Sequence, residues 1–539
     1  MDKEEIMLKI ESTNTHKRYL PLSFDKKFQE EESRLTQKQI KKIFERLGLD
    51  GLIKLIERLS LRIVNLILEI KNLRDENKEL KEENNKLNEK IDNLSRDSTN
   101  SNKPPSSDGL KKKRDIEKRG ASGRKPGGQV GHKGKARRIV SPDEITKTVE
   151  HKPKKCEKCG LIFTEKDKSE PVERHQVWEI PEISPIIEEH VFYKTIGSCG
   201  HETRETVPDW IYSGTGENLQ SHIAFFTGEL SLTRRGVKTA LNEVFNIPIS
   251  LGSIQNRLDD TSEIIEPICD ELKEEIVKQK VVNIDETSYP HNKGLNWLWG
   301  FVTKIFAFFT IQASRGSKVL KEILTELYEG IIICDRFSAY IKYQKDRVIG
   351  LIQFCWAHII RDVKALKYEM GNGSKKPFSK ACRKKIGAVF KLWYCFKAGK
   401  ITREVLIEKA EPLIKKLKNF LEGNLQSSSK KVAKFCRQLL KRWNSLFIFI
   451  YHEGVEPTNN LAEQLLRLGV KSRKISYCTR SIAGQLLLAK LLTVICTCRI
   501  QKRSSLKFIR ETIHSKRYNL TMPSLLLNKQ EDEEIKLAA

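Results

Sequence analysis

A seven-residue hydrophobic repeat runs through the N-terminal part of the chain. One seam position of the repeat holds leucine and the other holds isoleucine or asparagine: Leu52, Leu59, Leu66, Leu73, Leu80, Leu87 and Leu94, with Ile56, Ile63, Ile70, Asn77, Asn84 and Ile91. The repeat predicts a coiled coil over residues 52–97, preceded by a helical segment at 1–51. Two successive asparagine layers favour a parallel dimer, because a buried asparagine fixes register and oligomeric state. The alternative is a long helix that folds back on its own domain.

Three acidic residues further along the chain stand in settings that suit metal binding. Apolar runs of four residues precede Asp285 and Asp335, so each carboxylate is predicted where a buried strand emerges. Glu463 lies in a helix predicted to begin near Thr458 or Asn460. Such oxygen ligands could hold two hard cations roughly 3.5–4 Å apart, which would clamp the attacking and leaving oxygens of a phosphodiester. The alternative is that all three are turn or cap residues, with Asn460 and Glu463 forming a capping box.

The apolar pattern around these acids predicts alternating strands and helices. Strands are expected over residues 297–303 and 305–311, and helices over 317–328 and 353–366. The interval between Asp335 and Glu463 is long, basic and largely helical in pattern. We therefore expect an inserted helical segment at 367–452 that holds DNA. A segment at 453–505 would complete the core, and 506–539 would form a C-terminal tail.

Residues 204–279 have the pattern of several helices. These are predicted over residues 218–230, 235–245, 251–258 and 263–279. The second and third flank a short turn at 246–249, which gives them the proportions of a helix-turn-helix. In that arrangement the DNA contacts would come from Ser253, Gln255, Asn256 and Arg257. The alternative is a purely structural pair of helices.

Ordered motifs connect these segments to a known family. They are Asp285-Glu286-Thr287 with Asn296-Trp297-Leu298-Trp299, then Asp335-Arg336-Phe337-Ser338-Ala339-Tyr340, Gln353-Phe354-Cys355-Trp356-Ala357-His358 and Pro457-Thr458-Asn459-Asn460-Leu461-Ala462-Glu463. In this order they resemble the DDE transposases of insertion-sequence family sixty-six, over most of the chain. The resemblance implies a ribonuclease-H-like α/β catalytic core at 280–366, which also fits the predicted order of three strands, a helix and a fourth strand. The expected fold class is therefore a multidomain α+β protein.

Composition agrees with a nucleic-acid partner. The 539 residues include 98 Lys and Arg against 70 Asp and Glu, a formal net charge of +28. Such a charge favours a polyanion, although a soluble basic protein without that partner is the alternative. No signal peptide is recognisable at the acidic N-terminus, and no stretch approaches the roughly 20 apolar residues of a membrane helix. The 12 cysteines are mostly scattered, as in a reduced cytoplasmic protein.

A basic linker rich in proline and glycine is predicted at 98–150. It includes Arg124, Lys125 and Lys133, and it buries too little apolar surface to form a core. It can instead lie along DNA phosphates, or remain a solvated tail. Its runs at 104–108 and 125–129 also resemble signatures of the same family.

A zinc-ribbon-like module is predicted at 151–203. Cys156 and Cys159 have the spacing at which one turn presents two thiolates to a zinc ion. The nearest partners are Cys199 and His201, which follow β-prone residues at 191–195 that would form one arm of a hairpin. Relatives in the resembled family usually carry a second Cys-x-x-Cys, but Ile196 stands in the first of its positions. His201 would then supply the fourth ligand, unless the site is degenerate or the pair is an ordinary reduced CxxC.

These features together predict a cytoplasmic DNA transposase of a bacterial insertion sequence. Asp285, Asp335 and Glu463 would hold two Mg²⁺ ions, or Mn²⁺, per active site, and a structural Zn²⁺ would lie in the ribbon. Candidate DNA contacts are Arg124, Lys125, Lys133, Arg257, His358, Arg361, Arg467, Lys471, Arg473, Lys474 and Arg480. For His358 the alternative is a core histidine, and for Arg467 an ion pair with Glu463 within one helix.

The expected partners follow from that function. They are the element's terminal repeats, target DNA and a second copy bound through the coiled coil, as a homodimer or higher oligomer, with companion proteins of the element as a further possibility and no membrane. Two other functions are compatible with the sequence: a catalytically decayed DNA-binding protein or repressor, and a structure-specific ribonuclease-H-like nuclease. A serine or tyrosine recombinase would leave the three acids unexplained.

Overall fold

The computed structural model describes residues 37–94, 137–292, 294–372, 377–477 and 479–526. The chain divides into two compact units, one made of Met1–Lys111 and Ile360–Ala381 and the other of Lys112–Ile359 and Cys382–Ala539. Strands and many helices occur together in the second unit, which makes this a mixed α/β protein, as expected.

A single long helix, α1 (Gln37–Leu94), accounts for most of the described residues of the first unit. It kinks at Gly48, whose φ of 63° lies in the left-handed region that glycine tolerates. The seven-residue repeat is therefore helical as far as Leu94, while residues 1–36 and 95–97 lie outside the described chain. Its seam is apolar surface, since Leu66 is 50% and Ile70 49% exposed.

The predicted zinc module contains one small hairpin. Strands β1 (Lys194–Ile196) and β2 (Glu202–Arg204) pair antiparallel, which confirms a strand near the β-prone residues. The preceding residues from 137 onward contain a 3-10 turn at Pro142–Glu144 and little other regular structure. The basic linker before residue 137 lies outside the described chain.

The helical region is confirmed, with shifted boundaries. Its helices are α2 (Asp209–Tyr212), α3 (Glu217–Gly228), α4 (Arg234–Phe245), α5 (Leu251–Ile264) and α6 (Glu266–Ile276). The predicted turn between α4 and α5 begins at Asn246, in the left-handed region at φ 53°. Ser250 caps α5 by accepting a hydrogen bond from the Ser253 backbone. α6 begins later than predicted, with Pro267 in its first turn, where a missing N–H is tolerated.

A five-stranded mixed sheet forms the centre of the second unit. Its strands are β3 (Val281–His291), β4 (Gly294–Val302), β5 (Ala307–Gln312), β6 (Ile331–Cys334) and β7 (Leu351–Phe354), in the spatial order β5-β4-β3-β6-β7. β3, β4 and β5 pair antiparallel, whereas β6 is parallel to β3 and β7 is parallel to β6. The parallel pairing of β3 with β6 runs as far as Asn283 opposite Ile333.

The remaining helices surround or follow this sheet. They are α7 (Ser317–Leu324), α8 (Ser338–Asp346), α9 (Trp356–Ala365), α10 (Phe378–Lys397), α11 (Arg403–Glu422), α12 (Lys430–Leu440), α13 (Ile448–Tyr451), α14 (Asn460–Ser476), α15 (Ile482–Ile500) and α16 (Ser505–Arg517). Helices α10 to α13 confirm the helical character expected of 367–452. The helix bearing Glu463 also begins at one of its two predicted positions.

Two predicted boundaries near the acids are wrong. Asp285 does not end its strand, because β3 continues to His291 and pairs with β4 throughout that extension. Gln353 lies in β7 rather than in a helix, which begins only at Trp356. Gln353 is fully buried, and its amide donates to Leu446 O at 3.0 Å and accepts from Phe449 N at 3.1 Å. Partners far along the chain thus hold a polar residue inside a strand.

Four further helices differ from the prediction in their length or in their presence. The predicted helix at 317–328 ends at Leu324, because Thr325 has a φ of 63°. Helices α2 and α8 were not predicted. Residues 506–539 were expected to form a tail, but α16 packs on α3 and buries Phe508 and Ile513. Residues from 527 onward lie outside the described chain.

α15 is long and apolar enough to cross a membrane by length and composition, with a mean hydropathy of 1.5. The expectation that no stretch approached that length was therefore wrong. Two observations identify it as a core helix: 67% of that window is buried, and its hydroxyls bind the sheet. Ala307 N and Phe309 N of β5 donate to Thr497 Oγ1 and Thr493 Oγ1 at 3.1 and 2.9 Å. A helix buried on several sides is apolar all round.

The helix that carries Glu463, α14, packs closely on the sheet at Gly469. A Cβ added at Gly469 would collide with Leu298 of β4, whereas one added at Gly387 of α10 would meet nothing within 4 Å. Gly387→Ala should raise the free energy of unfolding by up to about 1 kcal/mol, because alanine has a higher helix propensity than glycine. Gly469→Ala should lower the free energy of unfolding by about 1–3 kcal/mol, because the added methyl group overpacks the contact with β4. Chemical denaturation of the two variants measures both, and equal stabilisation would contradict this packing.

Candidate active site

Asp285 and Asp335 come together where the parallel pairing of β3 and β6 ends. Asn283 and Ile333 form the last pair in register, and each strand reaches an aspartate two residues later. Asp335 Oδ1 accepts a hydrogen bond from Phe337 N at 2.8 Å, which holds this carboxyl in the turn before α8. The parallel ladder of the sheet therefore brings the two carboxyl groups to one edge.

Asn459 ties the helix of Glu463 to the same edge. Asn459 is 1% exposed, and its Nδ2 donates to Ile284 O at 2.7 Å, next to Asp285. Its backbone N–H donates to Cys355 Sγ at 3.2 Å. Asn459, not Asn460, is the N-cap of α14, and its side chain makes no capping bond. The capping-box alternative is therefore wrong, because this amide binds the strand instead of its own helix.

The charges of the other acids act on the Asp285 carboxyl. Burial raises the pKa of Asp285 well above its usual range, and the charges of Glu286, Asp335 and Glu463 raise it further. Oxygen atoms of the three predicted ligands are not all within 4.8 Å of one another in the described chain, so the carboxyl groups of at least two of them are farther apart than that. Carboxylates that repel one another in a buried site are suited to a bound cation.

A buried network beside the acids was missed from the sequence. Glu286 points away from Asp285 along β3, and it accepts hydrogen bonds from Tyr340 Oη and from Arg315 Nε, the latter at 2.9 Å. The Arg315 guanidinium lies 4.5 Å from the Trp297 ring and 3.8 Å from the Phe337 ring. Burial, followed by the charge of Asp335, raises the pKa of Glu286 to about 7. Glu286 was named in the sequence only as part of a family motif, because no local pattern predicts its contacts with Tyr340 and Arg315.

His358 lies close to Glu463. His358 Nδ1 is 3.6 Å from Glu463 Oε1, and the two side chains are 16% and 26% exposed. The ligand atoms of Cys355, His358 and Glu463 all lie within 4.8 Å of one another. His358 is therefore a neighbour of the predicted site, whereas Cys355 was not predicted to take part.

The predicted DNA contacts fall into four groups. Arg467, Lys471, Lys474 and Arg480 are exposed, on α14 or just after it. Arg473 is half-buried and donates to Ser288 Oγ of β3 at 2.9 Å, and Arg257 is ion-paired with Asp260 at 2.8 Å. Arg361 belongs to the first unit. Arg124, Lys125 and Lys133 lie outside the described residues.

The predicted zinc ligands occupy two similar turns. Backbone N–H groups of Cys159 and Lys158 donate to the Cys156 thiol and lower its pKa. Gly160 and Gly200, at φ 73° and 78°, follow Cys159 and Cys199 in the two turns. Within the described chain, however, no three of the atoms offered by Cys156, Cys159, Cys199 and His201 gather within 4.8 Å. The turns are present, but the ligands are not brought together.

Comparison with known proteins gives the class of the molecule. A model of the transposase IS66 family matches residues 213–486, half of the chain, including all three acids and His358. The protein is therefore a transposase, an enzyme that acts on DNA with the help of divalent metal ions. It belongs to the IS66 family, as the motif resemblance indicated. Residues 54–138 match a family of unknown function, and no curated protein matches the chain.

Proposed function

We propose that this protein is a DDE transposase that cuts the ends of its insertion sequence and joins them to target DNA, with Asp285, Asp335 and Glu463 holding two Mg²⁺ or Mn²⁺ ions. The observation that carries the proposal is that two contacts bring the elements of these acids to one edge of the sheet. They are the β3–β6 ladder, which ends two residues before each aspartate, and the 2.7 Å bond from Asn459 Nδ2, at the start of the helix of Glu463, to Ile284 O. The sheet order supports a ribonuclease-H-like core, since three antiparallel strands are extended by two parallel ones beside β3.

The donor set fits hard divalent cations, which prefer carboxylate oxygens. When bound, two such metal ions would activate the attacking oxygen and stabilise the leaving oxygen of a phosphodiester, without a covalent enzyme intermediate. The chain's own contribution is to hold the ligands. The ladder between β3 and β6 fixes the two aspartates, and the Asn459 amide fixes the start of the helix that carries Glu463.

DNA would lie against the basic surface next to the acids. Arg467 is exposed one helical turn beyond Glu463, and Lys471 and Lys474 continue along the same helix. Helices α10 to α12, the α4–α5 pair and the basic linker would extend this contact along the phosphate backbone. Cys156, Cys159, Cys199 and His201 would have to approach one another to hold a Zn²⁺ ion in the ribbon, and the two similar turns that carry them support such a site. The working compartment would be the cytoplasm, with companion proteins of the element as further partners.

The exposed seam of α1 supports dimerisation through a coiled coil. In the single chain, Asn77 Nδ2 and Asn84 Nδ2 donate to Leu73 O and Leu80 O of their own helix. In a dimer these amides would face each other across the seam, at a cost in stability. We expect Asn77→Ile with Asn84→Ile to raise the melting temperature and to mix dimers with larger oligomers. Light scattering and thermal denaturation check this, and an unchanged dimer of unchanged stability would count against the register.

Cleavage and joining of labelled DNA carrying the element's own ends test the function. Products formed with Mg²⁺ or Mn²⁺ and lost in Glu463→Gln would establish the three-acid site. Tight end binding without cleavage, even with companion proteins added, would favour the decayed DNA-binding protein. Cleavage without joined products would favour the nuclease.

A further inference from the structure

Cys355, His358 and Glu463 form a cluster that does not suit magnesium. Their ligand atoms lie within 4.8 Å of one another, and His358 Nδ1 is 3.6 Å from Glu463 Oε1. Ligand atoms of a tetrahedral zinc site are about 3.2–3.8 Å apart, given bond lengths of about 2.0–2.3 Å. Small movements of these side chains would therefore complete three-quarters of such a site. A thiolate and an imidazole select zinc-like ions, whereas Mg²⁺ requires oxygen ligands.

The backbone around the cluster is fixed before any ion arrives. Cys355 N donates to Cys334 O at 2.8 Å, and Trp356 N donates to Pro457 O at 2.9 Å. Together with the bond from Asn459 N to Cys355 Sγ, these contacts join the start of α9 to the segment before α14. Cys355 immediately precedes α9 and His358 lies in its first turn, so the start of this helix presents both side chains to Glu463. Positions held in this way favour metal binding, because little ordering is required.

We propose that Cys355, His358 and Glu463 bind a zinc-like divalent ion, and that this ion inhibits the transposase by withdrawing Glu463 from the magnesium site. The inhibitory part rests on the proposed function, since it assumes that Glu463 is a magnesium ligand. The cluster would leave one coordination position for water. Cys355 is fully buried, while His358 and Glu463 keep 16% and 26% of their side chains exposed, so an ion can enter from their side.

Binding is tested without catalysis, by titrating Co²⁺ into the full-length protein and recording the thiolate-to-cobalt absorption band. Cys355→Ser should lose part of this band, and His358→Gln should weaken or shift the same part. Cys382→Ser is the matched control, because Cys382 is also fully buried but lies in α10, outside the cluster. The band of that variant should equal the wild-type band.

An undiminished band in Cys355→Ser would overturn the site, since the signal would then belong to other cysteines such as Cys156 and Cys159. Circular dichroism establishes whether each variant is folded. If Cys355→Ser does not fold, the band of His358→Gln decides whether the cluster binds cobalt.

Inhibition is tested separately, by adding Zn²⁺ to DNA cleavage in excess Mg²⁺ and comparing each variant with its own zinc-free rate. We expect Cys355→Ser to need at least about 10-fold more zinc for half-inhibition, because even the loss of a group that only supports a metal ligand costs about 10–100-fold in metal affinity. Equal zinc sensitivity in wild type and Cys355→Ser would overturn the inhibitory role. If no form of the protein cleaved DNA, the proposed function would fail, whereas the cobalt result would still decide the metal site.

Discussion

Asp285→Asn should abolish metal-dependent DNA cleavage and, at the same time, raise the melting temperature of the ion-free protein. The loss of activity should be at least about 10³-fold, as when one member of a cooperating catalytic group is removed. The gain in stability follows from the pKa of Asp285, which burial and three neighbouring acids raise. A raised pKa in the folded state means that stability falls as the pH rises above the usual carboxyl range. The neutral amide removes that loss.

Thermal denaturation at several pH values and a cleavage assay measure the two effects. Asp270→Asn provides the control, since Asp270 is exposed on α6 and its replacement should change neither result. Added Mg²⁺ should stabilise the wild-type protein, because an ion that binds only the folded state raises its stability. The Asp285→Asn variant should lose most of that response. A variant that still cleaves DNA at the wild-type rate would remove Asp285 from the site.

Asn459→Ala should have the second large effect, because one amide connects two parts of the site. Its removal leaves Ile284 O without the 2.7 Å bond in a buried position, at a cost of about 1–3 kcal/mol. The start of α14 would also lose its tie to β3, so Glu463 would be held less firmly. We therefore expect a lower melting temperature together with a much weaker stabilisation by Mg²⁺.

The neighbouring Asn460→Ala separates this role from helix capping. Asn460 is exposed at the first position of α14, so its replacement should cost little stability and leave the response to Mg²⁺ intact. If Asn460→Ala were the more damaging variant, the amide bond to β3 would not be what holds the glutamate.

The sequence predicted those parts of the site whose signals are local. The apolar run before Asp335 identified β6, because four buried residues followed by a polar turn need no distant partner to be recognised. The motif around Glu463 identified α14 in the same way. The family then followed from the order of the motifs, and the match to residues 213–486 confirms it.

Features that depend on distant partners were missed. The second half of β3 is polar and became a strand only because β4 pairs with it as far as His291. Gln353 entered a strand because its amide binds Leu446 and Phe449. The Glu286–Arg315 pair and the nearness of Cys355 to Glu463 also arise from tertiary packing, which leaves no periodic trace in the sequence.

The wide separation of the three acids along the chain has a consequence for how the enzyme is made. Asp285 and Asp335 leave the ribosome well before Glu463, by on the order of ten seconds at typical rates of synthesis. A chain interrupted in the helices between them would carry both aspartates and much of the basic surface, but not the third carboxyl group. Such fragments could hold DNA without breaking it. If Glu463 is the third metal ligand, as we propose, the order of synthesis delays strand breakage until α14 has been translated and has packed on the sheet.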